Sequence, residues 1–131
     1  MYRWLDHTSE RELWIEDEDP EAILGEAAIA LGELLREHRG GEPVTHPVSL
    51  SASDLPTLLV EWLEELVYLA ENDGFVPERV LKMDLSGSAV EAVVAGKRTM
   101  PQTLVKGVTY HRLEFEQGEG GAWHARVILD V

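Results

Sequence analysis

Seven apolar side chains recur at helical spacing in the middle of the chain and predict one central core helix. The glutamates of the same segment lie largely on the opposite side, so one face is apolar and the other polar. We expect Ser53 to cap the start of this helix and Gly74 to end it, because glycine readily adopts the left-handed conformation found at helix ends. The stripe consists of Leu55, Leu58, Leu59, Trp62, Leu63, Leu66 and Ala70.

A second helix is predicted before the central one. Asp19 is a suitable N-cap, and Pro20 suits the first helical position because it needs no N–H donor there. We expect this helix to run to about His38. Gly25 and Gly32 lower helix propensity unless another element packs closely against them. The apolar stripe of this helix consists of Ile23, Ala27, Ala30, Leu31 and Leu34.

Segments with strand character surround the two helices. Residues 11–16 alternate, which places Leu13 and Ile15 on the apolar side and Glu12 on the polar side. Pro47 favours an edge strand or a bulge in its segment, since proline cannot donate to a strand ladder. The predicted order β-α-β-α-β-β-β-β indicates a single α+β domain over residues 1–131, with a largely antiparallel β-sheet packed against two α-helices. The remaining strand-like runs are 44–52, 79–85, 89–95, 107–116 and 123–130.

The formal net charge of −14 is the strongest compositional signal. An acidic surface repels phosphate backbones, so we expect no direct nucleic-acid binding and favour a basic partner protein or a cation. The chain has no cysteine, which excludes disulfides and thiolate metal sites. It has neither a membrane-length apolar run nor a recognisable secretion signal, and we expect a cytoplasmic protein with no membrane contact. Composition leaves the oligomeric state open.

The last two strand-like runs predict a hairpin that could carry a site. If its turn centres near Glu119 and Gly120, then Thr109 faces Asp130 and His111 faces Ile128. Asp130 and His111 then share a face of the sheet, and Lys106 lies near the same end. The carboxylate of Asp130 and the α-carboxylate at Val131 are oxygen ligands of the kind that Mg²⁺ and Ca²⁺ take. The alternative is that Asp130 is a solvated surface residue.

Four stretches, in order along the whole chain, resemble the archease family. YRWLDHTSE resembles the family's aromatic start and HTAD tetrad, and LLVEWLEELVYLAENDGFVP resembles its central helix and exit. VKGVTYHRLEF resembles its VKAxTYH segment, and VILDV resembles its ending with a penultimate aspartate. The resemblance implies a protein cofactor that is not itself an enzyme. Such a protein activates the GTP-dependent tRNA-splicing RNA ligase by promoting its guanylylation and multiple turnover.

The same resemblance implies roles for individual residues. Glu10 stands where the family has the aspartate of HTAD, and with Asp130 it would form an acidic site for a divalent ion of the Ca²⁺ or Mg²⁺ class. Lys106 corresponds to the functionally important lysine, and Asp6 and His7 would support Glu10. The competing interpretation is a small metal-dependent hydrolase acting on phosphoesters, with Glu10 and Asp130 as ligands and His111 as the base.

Overall fold

The computed structural model describes residues 1–36 and 40–131, which form seven strands and two helices. The α+β class, the two helices and the antiparallel pairing agree with the sequence-based prediction. The elements in chain order are β1 (Tyr2–Asp6), β2 (Glu10–Asp17), α1 (Pro20–Leu35), β3 (Glu42–Ser51), α2 (Leu55–Asp73), β4 (Phe75–Ser86), β5 (Ala89–Arg98), β6 (Gly107–Gln117) and β7 (Trp123–Asp130).

The strands form two antiparallel sheets, whereas the sequence indicated one. The four-stranded sheet has the order β1-β2-β7-β6, and the three-stranded sheet has the order β3-β5-β4. Strand β1 was not predicted from the sequence. Strand β3, which contains Pro47, lies at a sheet edge as proline predicts. The chain therefore brings β2, near its start, next to β7, near its end.

The helices begin and end largely where the sequence indicates. Asp19 caps α1 by accepting a hydrogen bond from the Ala22 amide at 2.8 Å, and Gly74 ends α2 with a φ of 67°. Asp54, not Ser53, caps α2, because its carboxylate accepts from the Thr57 amide at 2.9 Å. The predicted end of α1 near His38 lies outside the described residues.

The core lies between the helices and the two sheets. Helix α1 contacts β2 and β4, and α2 contacts β4 and β6, so each helix bridges both sheets. The stripe of α2 is buried apart from the partly buried Leu55, and Trp62 donates its indole N–H to the Leu24 carbonyl at 2.9 Å. Within residues 1–36 and 40–131, no helix is long and apolar enough to span a membrane.

Candidate functional site

Glu10 and Asp130 form a cross-strand pair at one end of the four-stranded sheet. The register of β2 and β7 places the two residues directly opposite each other. Opposed residues of antiparallel strands share a face and have Cβ atoms about 5 Å apart. Backbone hydrogen bonds hold this end of the sheet together, from Val131 N to Ser9 O at 3.0 Å and from Lys106 N to Asp130 O at 2.8 Å. The two predicted acidic segments therefore meet.

The predicted register of the last hairpin is wrong. Gly107, and not Thr109, lies opposite Asp130, and Thr109 takes the position opposite Ile128 that was predicted for His111. The pairs next to the turn are offset by one residue from the predicted register, and a bulge between Thr109 and Glu114, where Arg112 has a left-handed φ of 57°, shifts the register further. Arg126 stabilises this bulge by donating from Nε to the Arg112 carbonyl at 2.9 Å.

The bulge nevertheless brings His111 to the site. His111 and Arg112 line a surface hollow of about 350 Å³ together with Glu10. The hollow lies between the β1–β2 turn and the bulge of β6, over the same face of the sheet as Glu10. Its other lining residues are His7, Thr8, Ser9, Glu12 and Ile128. Two histidines and two carboxylates thus border one opening.

The backbones of Lys106 and Asp6 lie near the acidic pair, but neither side chain lines the hollow of Glu10. The exposed Lys106 borders a different hollow, of about 210 Å³, which is lined on its other side by Glu64 and Tyr68 of α2. Asp6 lies opposite Arg11, and its Oδ1 forms an ion pair with Nε of Arg11 at 3.3 Å. Because side chains alternate along a strand, this pair lies on the opposite face of the sheet from Glu10. Asp6 is thus not directed at the acidic pair by the strand register.

Glu12 is a residue that the sequence interpretation missed. Alternation assigns it to the solvent side of β2, yet only 3% of it is exposed. Its Oε2 accepts a hydrogen bond from the Trp14 indole at 2.6 Å, and its Oε1 lies 3.6 Å from Nε2 of His7. No local pattern predicts this burial, because the hollow that Glu12 lines is formed together with residues of the distant strands β6 and β7.

The donor chemistry of the acidic pair fits a hard cation held by few protein ligands. Carboxylate oxygens are the ligands that Mg²⁺ and Ca²⁺ prefer, and Mg²⁺ commonly keeps several waters while bound by one or two carboxylates. Among the described residues, no group of three or more His, Asp or Glu side chains is arranged to hold a metal ion. The pair alone therefore does not form a closed calcium cage.

Comparison with known proteins decides the family. The model of the archease protein family (MTH1598/TM1083) matches residues 2–131. The chain belongs to the archease family. The archease of Methanosarcina mazei is 32% identical over 141 residues, covering 99% of this chain and 95% of that protein. The archease of Methanopyrus kandleri is 32% identical and covers 97% of this chain and 96% of its own length.

Solved structures support the archease fold. Protein 1598 of Methanobacterium thermoautotrophicum matches with a TM-score of 0.75 and 24% identity, covering 99% of this chain and 98% of that one. An archease from Thermotoga maritima, described as a possible chaperone, matches with a TM-score of 0.68 and 21% identity over 97% of this chain and 94% of its own. At these identities the likeness establishes the fold.

Proposed function

We propose that this archease activates a GTP-dependent tRNA-splicing RNA ligase as a protein cofactor, promoting guanylylation of the ligase and its repeated turnover. Family membership over nearly the whole chain supports the class of function. The observation that carries the site is the direct pairing of Glu10 with Asp130, since the family resemblance assigns a role to these two positions. The ligase is the proposed partner, and the role in tRNA splicing follows from that partner.

The acidic pair is the proposed contact for a divalent ion of the Mg²⁺ or Ca²⁺ class. Glu10 and Asp130 would hold it, with remaining positions open to water or to groups of the ligase. When bound, such an ion supplies positive charge to which phosphate or carboxylate oxygens can coordinate. The chain's own carboxylates provide the binding, and their rigid backbone pairing provides the orientation.

Charge supports a protein partner over free RNA. The net charge of −14 opposes binding to a phosphate backbone. A ligase that holds RNA and GTP needs a basic surface, to which an acidic cofactor is electrostatically complementary. Lys106 would act at the border of the site, because its amide is bound to the Asp130 carbonyl while its side chain is exposed.

The test is an RNA ligation time course with the cognate ligase present at a substoichiometric amount. We expect the parent protein to give multiple turnovers, and Asp130→Ala and Glu10→Gln to abolish this activation with little change in melting temperature. Lys106→Ala should impair activation while leaving divalent-ion binding intact. Glu91→Gln is the control, since Glu91 is likewise an acid opposite an acid, Asp84, but is exposed and lies on the other sheet.

Three results would contradict the proposal. Activation by Asp130→Ala and Glu10→Gln at the parent level would separate the acidic pair from the function. Turnover of phosphoester substrates by the pure protein with Mg²⁺, in the absence of ligase, would favour the hydrolase interpretation. Tight and salt-sensitive binding of the isolated protein to RNA would also count against a cofactor that contacts only the ligase.

A further inference from the structure

Glu12 combines burial with a position at the proposed site. It is the one buried charged side chain within residues 1–36 and 40–131, and it lines the same hollow as Glu10, His7 and His111. Burying a carboxylate is costly unless it is paired or hydrogen-bonded. A fold that retains such a group two residues from Glu10 therefore needs specific partners for both of its oxygens.

One oxygen of Glu12 is held by a stack of side chains that crosses the sheet. Trp14 donates its indole N–H to Oε2 at 2.6 Å. The guanidinium carbons of Arg3 and Arg126 lie 5.5 Å and 4.9 Å from the centroid of the Trp14 ring, a cation–π arrangement that fixes the indole. Arg126 also holds the β6 bulge through the Arg112 carbonyl. The indole of Trp14, itself held between Arg3 and Arg126, thus orients the carboxylate of Glu12.

The other oxygen faces His7. The separation of 3.6 Å between Oε1 and Nε2 is too long for a hydrogen bond, so the carboxylate acts on the imidazole through its charge. A proton on Nε2 is attracted to the carboxylate, whereas a lone pair on Nε2 would face the carboxylate's own lone pairs. In neutral histidine, one nitrogen carries the proton and the other accepts. Glu12 therefore favours the tautomer that is protonated at Nε2.

We infer that Glu12 is a positioning residue that holds His7 with its proton on Nε2 and leaves Nδ1 as the acceptor nitrogen of a side chain that lines the same hollow as Glu10. His7 is about half exposed, so Nδ1 can take a hydrogen bond from an N–H or O–H donor of the partner. The fold thereby assigns His7 an acceptor role, which matches the anionic character of Glu10 and Asp130. The tautomer follows from this chain alone, and only its consequence for activation rests on the proposed function.

The first test is a long-range ¹H–¹⁵N correlation spectrum of the isolated protein, in a solution alkaline enough for neutral imidazole. We expect His7 of the parent protein to show the tautomer with the proton on Nε2. In Glu12→Gln, the amide oxygen must still accept from Trp14, so the amide NH₂ faces His7 and requires an unprotonated Nε2. A shift of His7 toward the Nδ1-protonated tautomer is expected. An unchanged tautomer would overturn the inference.

The second test is the ligation time course with Glu12→Gln, His7→Ala and a control. Removing a residue that orients a site group commonly costs about 10- to 100-fold in affinity or activity, and we expect a loss of that size for Glu12→Gln. Glu16→Gln, an exposed acid on the same face of β2, should activate like the parent protein. Glu12→Gln and Glu16→Gln should have melting temperatures similar to that of the parent protein, because glutamine keeps the shape of the glutamate side chain.

The outcomes separate this inference from the proposed function. If Asp130→Ala abolishes activation while Glu12→Gln and His7→Ala activate normally, the positioning role is wrong and the acidic pair still stands. If the parent protein does not activate the ligase at all, the proposed function fails, and the His7 spectrum still decides the tautomer. Full activity of Glu16→Gln beside an inactive Glu12→Gln would support the positioning role.

Discussion

Glu10 and Asp130 come from opposite ends of the chain and lie directly opposite each other on β2 and β7. Two like charges at opposed positions of an antiparallel pair destabilise the sheet. The fold keeps this unfavourable pair where backbone hydrogen bonds to Ser9 and Lys106 fix the neighbouring chain. The fold thus holds the pair in place at a cost in stability, and the proposed divalent ion would offset that cost.

Neutralising one member of the like-charge pair should have opposite effects on the stability of the protein with and without a divalent ion. Glu10→Gln should raise the free energy of unfolding by roughly 0.2–1 kcal/mol in the absence of metal, because it removes the repulsion from Asp130. Added Mg²⁺ or Ca²⁺ should stabilise the parent protein by mass action and stabilise Glu10→Gln much less. Thermal melts across a titration of each ion measure both effects.

Glu91→Gln provides the control for this titration. Glu91 lies opposite Asp84 on the three-stranded sheet, so its neutralisation also relieves a like-charge pair. We expect the parent-level response to Mg²⁺ or Ca²⁺ to persist in this variant. An ion response that is lost equally in Glu91→Gln and Glu10→Gln would mean that the ions act on the general acidity of the protein.

The two glycines of α1 predict contrasting effects of alanine. A Cβ on Gly32 would lie 1.9 Å from the carbonyl oxygen of Pro77, whereas a Cβ on Gly25 would meet nothing within 4 Å. Gly32→Ala should therefore force α1 away from β4 and strongly lower the free energy of unfolding. Gly25→Ala should raise it by up to about 1 kcal/mol, the helix-propensity difference. Urea unfolding of both variants checks this, and an equal response would contradict the close contact at Gly32.

The helices could be predicted from the sequence because their signals are local. The stripe of α2 and the glycine at position 74 follow from residues a few positions apart, and both are confirmed. Strand β1 gave no such signal, since Leu5 faces outward with 38% exposure and breaks the alternation. Strand β1 is held in the sheet by its antiparallel pairing with β2, which its own residue pattern does not predict.

The site was harder to predict because its geometry depends on distant segments. The hairpin register requires a bulge at which Arg112 adopts a positive φ, and no glycine marks that position. The buried Glu12 lines a hollow together with residues of this bulge and of the β1–β2 turn, which the pattern of β2 alone does not reveal. The resemblance to the family named Glu10 and Asp130, but only the strand register places them opposite each other.

The N-cap of α2 predicts that substitutions of Asp54 and Ser53 differ in their effect on the melting temperature, and that the effect at Asp54 depends on pH. Hydrogen bonds from the Thr57 side chain and amide lower the pKa of Asp54, so ionised Asp54 stabilises the fold above the usual pKa of an aspartate. This contribution is lost as the pH falls through the lowered value. Asp54→Ala should therefore lower the melting temperature at neutral pH and less so in acid. Ser53→Ala should leave it unchanged, and a larger effect of Ser53→Ala would restore serine as the cap.

Trp62 predicts the largest single loss of stability among the core side chains of α2. It is fully buried, and its indole N–H donates to the Leu24 carbonyl, which ties α2 to α1. Trp62→Ala should lower the free energy of unfolding by about 3–5 kcal/mol, because it leaves a cavity between the helices. Trp62→Phe should cost less, since the ring keeps much of the apolar contact and loses only the donor. Tyr68→Ala is the control on the same helix, as Tyr68 is 57% exposed. Equal losses for Trp62→Ala and Tyr68→Ala in urea unfolding would contradict this packing.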